Sequence, residues 1–423
     1  MNVILVALGS HGDVHPFVGI GMELRRRGHR VRIIAYAHFE RLIADAGLEL
    51  VSCGTAEEFK RVASDPRAWK RFRGMQTILG FVAALIEPIY RLIADNAEGD
   101  TIVAASSLAL GARVAQDHLK IPTASIHLQP TMLWSAIDPP YIQGTFMPRW
   151  MPAWAKRAQY SVAELLVLDR ILSPTLNGFR RDLGLAPMKH IFGSYIHSPQ
   201  RIIGMFPPWF APPAPDWPSQ ARLTGFPLFD ERGITKLSDD LLRFLDEGDP
   251  PIAFTPGSAM WQGHRFFEES AQACALLGRR GLLLTRHLEH LPKTLPAGVR
   301  HIDFAPFSEL LPRCAALVHH GGIGTSSQAL AAGVPQLVVP HAHDQPDNAA
   351  RLVRLGVARK LEVRRFRRKR IVPVLRELLD SSEVRARCAQ TAKRFSGVNA
   401  ISDTCDLIEQ LSPTYTTVAA PMV

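Results

Sequence analysis

Four stretches carry side chains whose types and spacing suit chemistry. The first is Gly9-Ser10-His11-Gly12-Asp13-Val14-His15-Pro16, directly after an apolar run. It sets one carboxylate between two imidazoles. A carboxylate at the end of a strand can take a proton from a hydroxyl group. The plainer reading is that Asp13 caps a helix beginning near Val14. The second stretch is His319-His320-Gly321-Gly322-Ile323-Gly324-Thr325-Ser326-Ser327. Its pattern is strand, glycine loop, helix. Bare glycines let backbone N–H groups approach a phosphate, and a helix start adds partial positive charge. His320 and Thr325 can add side-chain donors. No lysine follows the glycines, so this is not an ATPase loop. The third stretch is Pro340-His341-Ala342-His343-Asp344-Gln345. A carboxylate beside an amide suits sugar hydroxyls. A metal held by His341, His343 and Asp344 is the alternative, but alternate residues of an extended segment point opposite ways. The fourth is Phe304-Ala305-Pro306-Phe307, whose first aromatic can stack on a nucleobase or simply pack into a core.

These groups need strands to hold them. Apolar, β-branched runs fall at 3–8, 31–35, 101–105 and 123–127, with helical patterns between them. A helix is expected from Pro16 to Arg27, ended by Gly28. A second series begins at 252–255 and continues at 281–285, 299–303, 316–319 and 336–340. Strands alternating with helices predict parallel, doubly wound sheets. Residues 130–220 are rich in Pro and Trp, with a helix expected only between about 153 and 183. The expected plan is an α/β chain of two Rossmann-like domains facing across a cleft. The first spans 1–220, a linker 221–235, the second 236–395. A tail, 396–423, can return to the first domain. Ligands of such sheets bind beyond the carboxyl ends of the strands.

Composition narrows the classes. The chain has 423 residues, 47% apolar and 21% charged, which fits ordinary globular domains. Its net charge is +10. The basic run Arg364 to Arg370 has no RNA-binding or zinc-finger signature beside it, so no nucleic-acid partner is expected. Five scattered cysteines form no CxxC pair and fit a reducing, cytoplasmic setting. The apolar start lacks the charged end of a signal peptide. No uninterrupted apolar run reaches the ~20 residues of a membrane span. No GxGxxG follows either first strand, which disfavours a dehydrogenase.

Together these motifs resemble the GT-B glycosyltransferases of the family that includes sterol, macrolide and flavonoid glycosyltransferases. The likeness covers nearly the whole chain. It implies that Gly9 to Pro16 is an acceptor loop, in which Asp13 is the base and His11, Gly12 and His15 lie beside it. It implies that Phe304 stacks on the donor base and that the Phe307 backbone meets the base edge. It places His320, Gly322, Gly324 and Thr325 on a diphosphate, with Ser258 as a further phosphate donor, and Asp344 and Gln345 on the sugar. Plant members often carry Trp where Phe304 stands and Gln where Phe307 stands.

Further stretches are similar to the rhamnosyltransferases of rhamnolipid synthesis. They include His197-Ser198-Pro199-Gln200, Phe206-Pro207-Pro208-Trp209-Phe210-Ala211-Pro212-Pro213 and Thr224-Gly225-Phe226-Pro227-Leu228-Phe229-Asp230. That resemblance implies dTDP-L-rhamnose as donor and a 3-(3-hydroxyalkanoyloxy)alkanoic acid as acceptor, with inversion and no metal. A lipid-derived acceptor needs an apolar slot, for which the 75–93 segment is a candidate. It also leaves open peripheral contact with the inner face of the membrane and a partner acyltransferase. Two rival readings stand beside it. One is a glycosyltransferase using UDP-glucose on a sterol or polyketide. The other is a non-catalytic subunit of a lipid complex, suggested by the basic run.

Overall fold

The computed structural model describes residues 1–69, 74–142, 144–148, 150–257 and 263–412. Thirteen strands among them form two sheets, in which every pairing between neighbouring strands is parallel. The first holds β1 (Asn2–Val6), β2 (Arg30–Ala35), β3 (Glu49–Ser52), β4 (Thr101–Ser106), β5 (Thr123–His127), β6 (Arg201–Gly204) and β7 (Ala221–Leu223). Their order is β3-β2-β1-β4-β5-β6-β7. The second holds β8 (Ile252–Thr255), β9 (Gly281–Leu284), β10 (Val299–Ile302), β11 (Ala316–His319), β12 (Gln336–Val338) and β13 (Ala358–Lys360). Their order is β10-β9-β8-β11-β12-β13. The expected pair of Rossmann-like sheets is what forms. In each, strand order reverses beside the first strand, between β1 and β4 and between β8 and β11. A crevice opens at such a reversal.

The central strands are apolar on both faces because helices cover both. Ile4, Val6, Ile34 and Val103 face one helical layer, and Val3, Leu5, Ile33 and Ala104 face the other. The second layer is completed from far along the chain. Helix Ala400–Glu409 returns to the first domain, burying Cys405 and Ile408 in that core. Arg27 anchors it through Glu409 (2.8 Å) and the Ser402 hydroxyl (2.7 Å).

Several expectations change. The first helix runs His11–Arg26 and so starts five residues before Pro16. The Ser10–Asp13 pair described below caps it early. Residues 221–223, expected to open the linker, are instead the last strand of the first sheet. The 153–183 region is helical as expected, as Ala153–Ala163 and Asp169–Asp182, but a wide π-turn, Glu164–Leu168, joins the two. Residues Gly74–Asn96 form one 23-residue helical stretch of mean hydropathy 1.7, long and apolar enough to cross a membrane. No apolar run of that length was expected there. Leu79, Val82, Ile86, Ile89 and Ile93 on this stretch are buried in the first core. In the basic run, Arg367 and Arg368 lie 3.7 and 3.6 Å from Glu269 on a neighbouring helix.

Candidate active site

Asp13 stands at the third position of the first helix, with Ser10 as N-cap. Its Oδ2 accepts from the Ser10 backbone N–H (2.8 Å) and from the Ser10 hydroxyl (3.0 Å). Asp13 thus does help cap the helix, reaching back from inside rather than standing at its mouth. Among the described residues its hydrogen bonds go to Ser10 alone. Oδ2 is fixed twice, and Oδ1 is left for another partner. Gly9 makes room for this. Its φ is +128°, and a Cβ there would meet the Asp13 carboxylate at 2.3 Å.

Neither flanking histidine bonds Asp13. His15 Nε2 lies 2.9 Å from Glu231 of the linker. His11 packs edge-on against His15, His38 and Phe39. Burial, with His15 nearby, lowers the His11 pKa to about 3, so the ring is neutral. It accepts a hydrogen bond from Arg286 of the second domain, at 3.2 Å. Gly12 lies exposed in the first helical turn.

The second motif follows β11. Helix Ile323–Ala331 begins after Gly322, which as N-cap supplies no side-chain acceptor. The N–H groups of its first turn, on Ile323, Gly324 and Thr325, therefore lack the intrahelical partners that later residues have. His320 sits at their edge. Its pKa is lowered to about 3 by burial and by the neighbouring His319 and His341, so it too is neutral. Its Nδ1 is buried and has no hydrogen-bond partner among the described residues. Gly257, after β8, allows the ring its place, since a Cβ there would meet it at 2.7 Å. The two glycine turns of the second sheet thus touch through His320. Ser258 lies outside the described residues.

Beneath the loop, His319 acts as a brace. Its Nδ1 accepts from the Gly321 N–H (3.1 Å), so Nε2 carries the proton toward Gln336 Oε1 (3.0 Å). Burial holds its pKa at about 4, which keeps this arrangement neutral. Asn348 is a second brace. Its Nδ2 donates to the Gly321 carbonyl (2.9 Å) and to Asp344 Oδ2 (2.6 Å).

Asp344 is the N-cap residue of helix Gln345–Arg354. Its pKa is raised to about 7, first by burial and then by the charge of Asp13. Burial also raises that of Asp13. The two carboxylates, one from each domain, therefore converge. Both remain partly accessible, because the cleft walls crowd them without closing over them. Gln345 is differently placed. It is buried, and its Oε1 accepts from the backbone N–H groups of His341 (2.8 Å) and Ala342 (3.2 Å). Only its Nε2 is left to reach a sugar. His341 is neutral, its pKa lowered to about 4 by burial. His343 takes a left-handed backbone, φ +60°. Among the described residues no group of three His, Cys, Asp or Glu side chains is arranged to hold a metal.

Phe304 is half-buried, with the Arg286 guanidinium 5.0 Å above its ring. Phe307 opens a short helix and packs its ring against the core around Leu310, and its carbonyl accepts from the Leu311 N–H, so of its backbone only the N–H could meet a base edge. The next N–H, of Ser308, is taken by Asp230 of the linker at 2.6 Å.

The structure thus brings Asp13 within electrostatic reach of Asp344, and His320 to the start of helix Ile323–Ala331. Ser10, His319, Asn348, Arg286 and Glu231 were not singled out as site residues. Ser10 had a signal, the Ser-x-x-Asp capping spacing. Asn348 had a weaker one, four residues after Asp344 on a helix face. Arg286 and Glu231 had none, since the fold alone brings them to the cleft.

Comparison with known proteins follows this division. Residues 3–130 match the glycosyltransferase family 28 N-terminal domain. Residues 282–398 match the erythromycin biosynthesis protein CIII-like C-terminal domain. The chain is 31% identical over 441 residues to the O-mycaminosyltylonolide 6-deoxyallosyltransferase of Streptomyces fradiae, covering 100% of both proteins. It superposes on the glycosyltransferase of kitacinnamycin with a TM-score of 0.73, at 23% identity, over 97% of this chain and 99% of that one. For the glycosyltransferase VinC in complex with dTDP the TM-score is 0.68, at 21% identity, over 97% and 99%. The chain belongs to the GT-B glycosyltransferases, in the branch whose C-terminal domain is of the erythromycin CIII type.

Proposed function

We propose that this glycosyltransferase moves L-rhamnose from dTDP-L-rhamnose to the hydroxyl of a 3-(3-hydroxyalkanoyloxy)alkanoic acid, yielding a mono-rhamnolipid. The observation that carries sugar transfer is the facing of Asp13 and Asp344 beside an uncapped helix start with an orphaned imidazole nitrogen. The acceptor hydroxyl gives its proton to Asp13 Oδ1, and its oxygen attacks the anomeric carbon. The bond to the diphosphate oxygen breaks on the opposite face, so configuration inverts. The leaving charge falls on the first-turn N–H groups of helix Ile323–Ala331 and on the neutral N–H of His320. Donors fixed in place before the charge develops usually lower such a barrier more than any other single effect. No metal takes part in this scheme.

With its pKa near 7, Asp344 is about half protonated at neutral pH and can donate to a sugar hydroxyl. Phe304 offers its ring to the base. Arg286 brings a cation to the mouth of the cleft, suited to a carboxylate on the acceptor. Leu8, one residue before Gly9, packs partly buried against the same core of the first domain as Met75, Ile78, Leu85 and Trp134, which favours an apolar acceptor near the base. Choice of donor leans on the dTDP of the VinC complex and on a relative named for moving a 6-deoxyhexose. The rhamnolipid product leans on the similar stretches at 197–200, 206–213 and 224–230.

That same full-length relative is named for a macrolide, which favours a polyketide acceptor as the second reading. One assay separates the two. Purified protein is given dTDP-L-rhamnose or UDP-glucose, each with the hydroxyalkanoyloxyalkanoate or with a macrolide aglycone, without added metal. Rhamnosylated lipid is the expected product. Turnover only with the macrolide, or only with UDP-glucose, overturns the specific reading and leaves the family membership standing.

A further inference from the structure

Two buried imidazoles of the first domain take no part in the proposed transfer. His127 ends β5, and His197 lies shortly before β6. They form a chain with a hydroxyl. His127 Nε2 lies 2.9 Å from His197 Nδ1, and His127 Nδ1 lies 2.6 Å from Ser107 Oγ. Ser107 is half-buried and is the first residue after β4. β4 pairs with β1, Ala105 beside Val6, at the reversal point of the first sheet. The Asp13 loop leaves β1 at that same point. Strand alternation puts His127 on the face away from Ala124 and Ile126, which is the face of Val6 and Val103. Leu8, Leu108 and Trp134 pack partly buried against the core on that face. The Ser107 hydroxyl is therefore a polar group at the crevice, on its apolar side.

The chain has a direction. Burial, and then the neighbouring His197, lowers the His127 pKa far below the ordinary histidine value. Burial, and then the charge of Arg113, lowers that of His197 to about 4. Both rings are neutral, so each has one N–H and one bare nitrogen. The Ile126 carbonyl accepts from the His127 ring, and it lies 3.2 Å from the same Ser107 hydroxyl that Nδ1 meets. A carbonyl can only accept, which assigns the ring proton to Nδ1. Nε2 is then bare and accepts from His197 Nδ1–H. The N–H groups point away from Arg113, the order that a cation favours. Ser107 Oγ thus accepts from His127, and its own proton is left for the Ile126 carbonyl. That contact is longer than the ~2.8 Å usual between oxygens, so a ligand oxygen can replace it. A hydroxyl that accepts within such a chain is also the stronger donor. We propose that Ser107 binds the acceptor, donating to a carbonyl oxygen close to the reacting hydroxyl, and that His127 and His197 are positioning residues that hold it. In the lipid acceptor proposed for this enzyme, on which this assignment rests, that carbonyl is the ester's. A single methylene separates it from the carbon bearing the hydroxyl.

The test pairs enzyme variants with an acceptor analogue. With dTDP-L-rhamnose as donor, the full-length protein is given the hydroxyalkanoyloxyalkanoate or its ether analogue, in which a methylene replaces the ester carbonyl. The parent should lose about tenfold in kcat/KM on the ether, as for one hydrogen bond. Ser107→Ala should lose about as much on the ester, chiefly through KM, and little more on the ether. Its melting temperature and its affinity for dTDP should match the parent's. Ser107→Thr, which keeps the hydroxyl, should recover part of the loss. His127→Phe should lose the same factor on the ester and add nothing to Ser107→Ala. His127→Asn, whose amide N–H stands near the place of Nδ1, should restore turnover. Equal losses by Ser107→Ala on ester and ether, or none on the ester, overturn the role of Ser107. Losses that add in the His127→Phe/Ser107→Ala double variant overturn the chain. A parent that turns over neither lipid sinks the lipid reading and this assignment with it, whereas a parent active on the ester and matched by Ser107→Ala sinks Ser107 alone.

Discussion

The two loops that meet in the cleft are built to one plan and finished differently. Each follows a strand beside a sheet's reversal point, passes through glycines and starts a helix. Ser10-His11-Gly12-Asp13 and Gly322-Ile323-Gly324-Thr325 occupy the same four positions, from N-cap to third residue, with glycine second in each helix. A helix start attracts an anion in either case. The first loop carries its own anion, because Asp13 reaches back to Ser10. The second has a glycine cap, a threonine and a neutral histidine, so its anion must come from outside. Under the proposed function one architecture serves two ends of a reaction. In the proposed reaction the carboxylate held at a helix start is the base, and the helix start without a side-chain cap is the seat for the leaving diphosphate.

The sharpest way to break this contrast is to remove the built-in anion. Asp13→Asn should lower kcat by about 10³-fold, within the usual range for losing a general base. Binding of dTDP, measured by calorimetry, should change little. Near-normal turnover would reduce Asp13 to a capping residue. The converse change is Thr325→Asp, which gives the second loop an anion of its own. It should weaken dTDP binding about 100-fold or more while leaving the melting temperature intact, since a carboxylate at that position suits the helix. Unchanged affinity would mean the diphosphate sits elsewhere.

Asp344→Asn tests the coupling across the domains. The raised pKa means that the folded protein holds this proton more tightly than the unfolded chain. Stability from that source is fully present below the ordinary carboxylate range and is lost as pH rises through about 7. The variant removes the pH-dependent loss. Its melting temperature should gain on the parent between pH 5 and pH 8, and an equal difference at both would argue against the raised value. Ser10→Ala should have the smallest effect. It should cost about 1 kcal/mol of stability, as for other lost caps. It should also move the acid limb of kcat/KM upward, because a hydrogen bond to the carboxylate lowers its pKa and this variant removes one. An unshifted limb would separate Ser10 from the base.

Much of the fold was legible because central strands are buried on both faces and so appear as apolar runs. β5, β8 and β11 have the bounds their residues suggested. The strands that escaped were β3, β6, β7 and β13, which are three or four residues long and carry charges such as Glu49, Arg201, Arg222 and Lys360. All four lie at a sheet edge or next to one, where pairing decides and hydrophobicity does not. The start of the first helix was misplaced because Gly12 and two histidines are poor helix formers, and the Ser10–Asp13 cap overrode that preference.

The sequence by itself determined the two sheets, the glycine loops at their ends and the types of group they offer. Those follow from local hydrophobic period and from glycine spacing, which need no partner. Tertiary structure alone decided that Asp13 comes within electrostatic reach of Asp344, that Arg286 crosses to His11 and that Glu231 reaches His15. Packing of one domain against the other sets these distances, and local pattern holds no information about atoms so far apart along the chain.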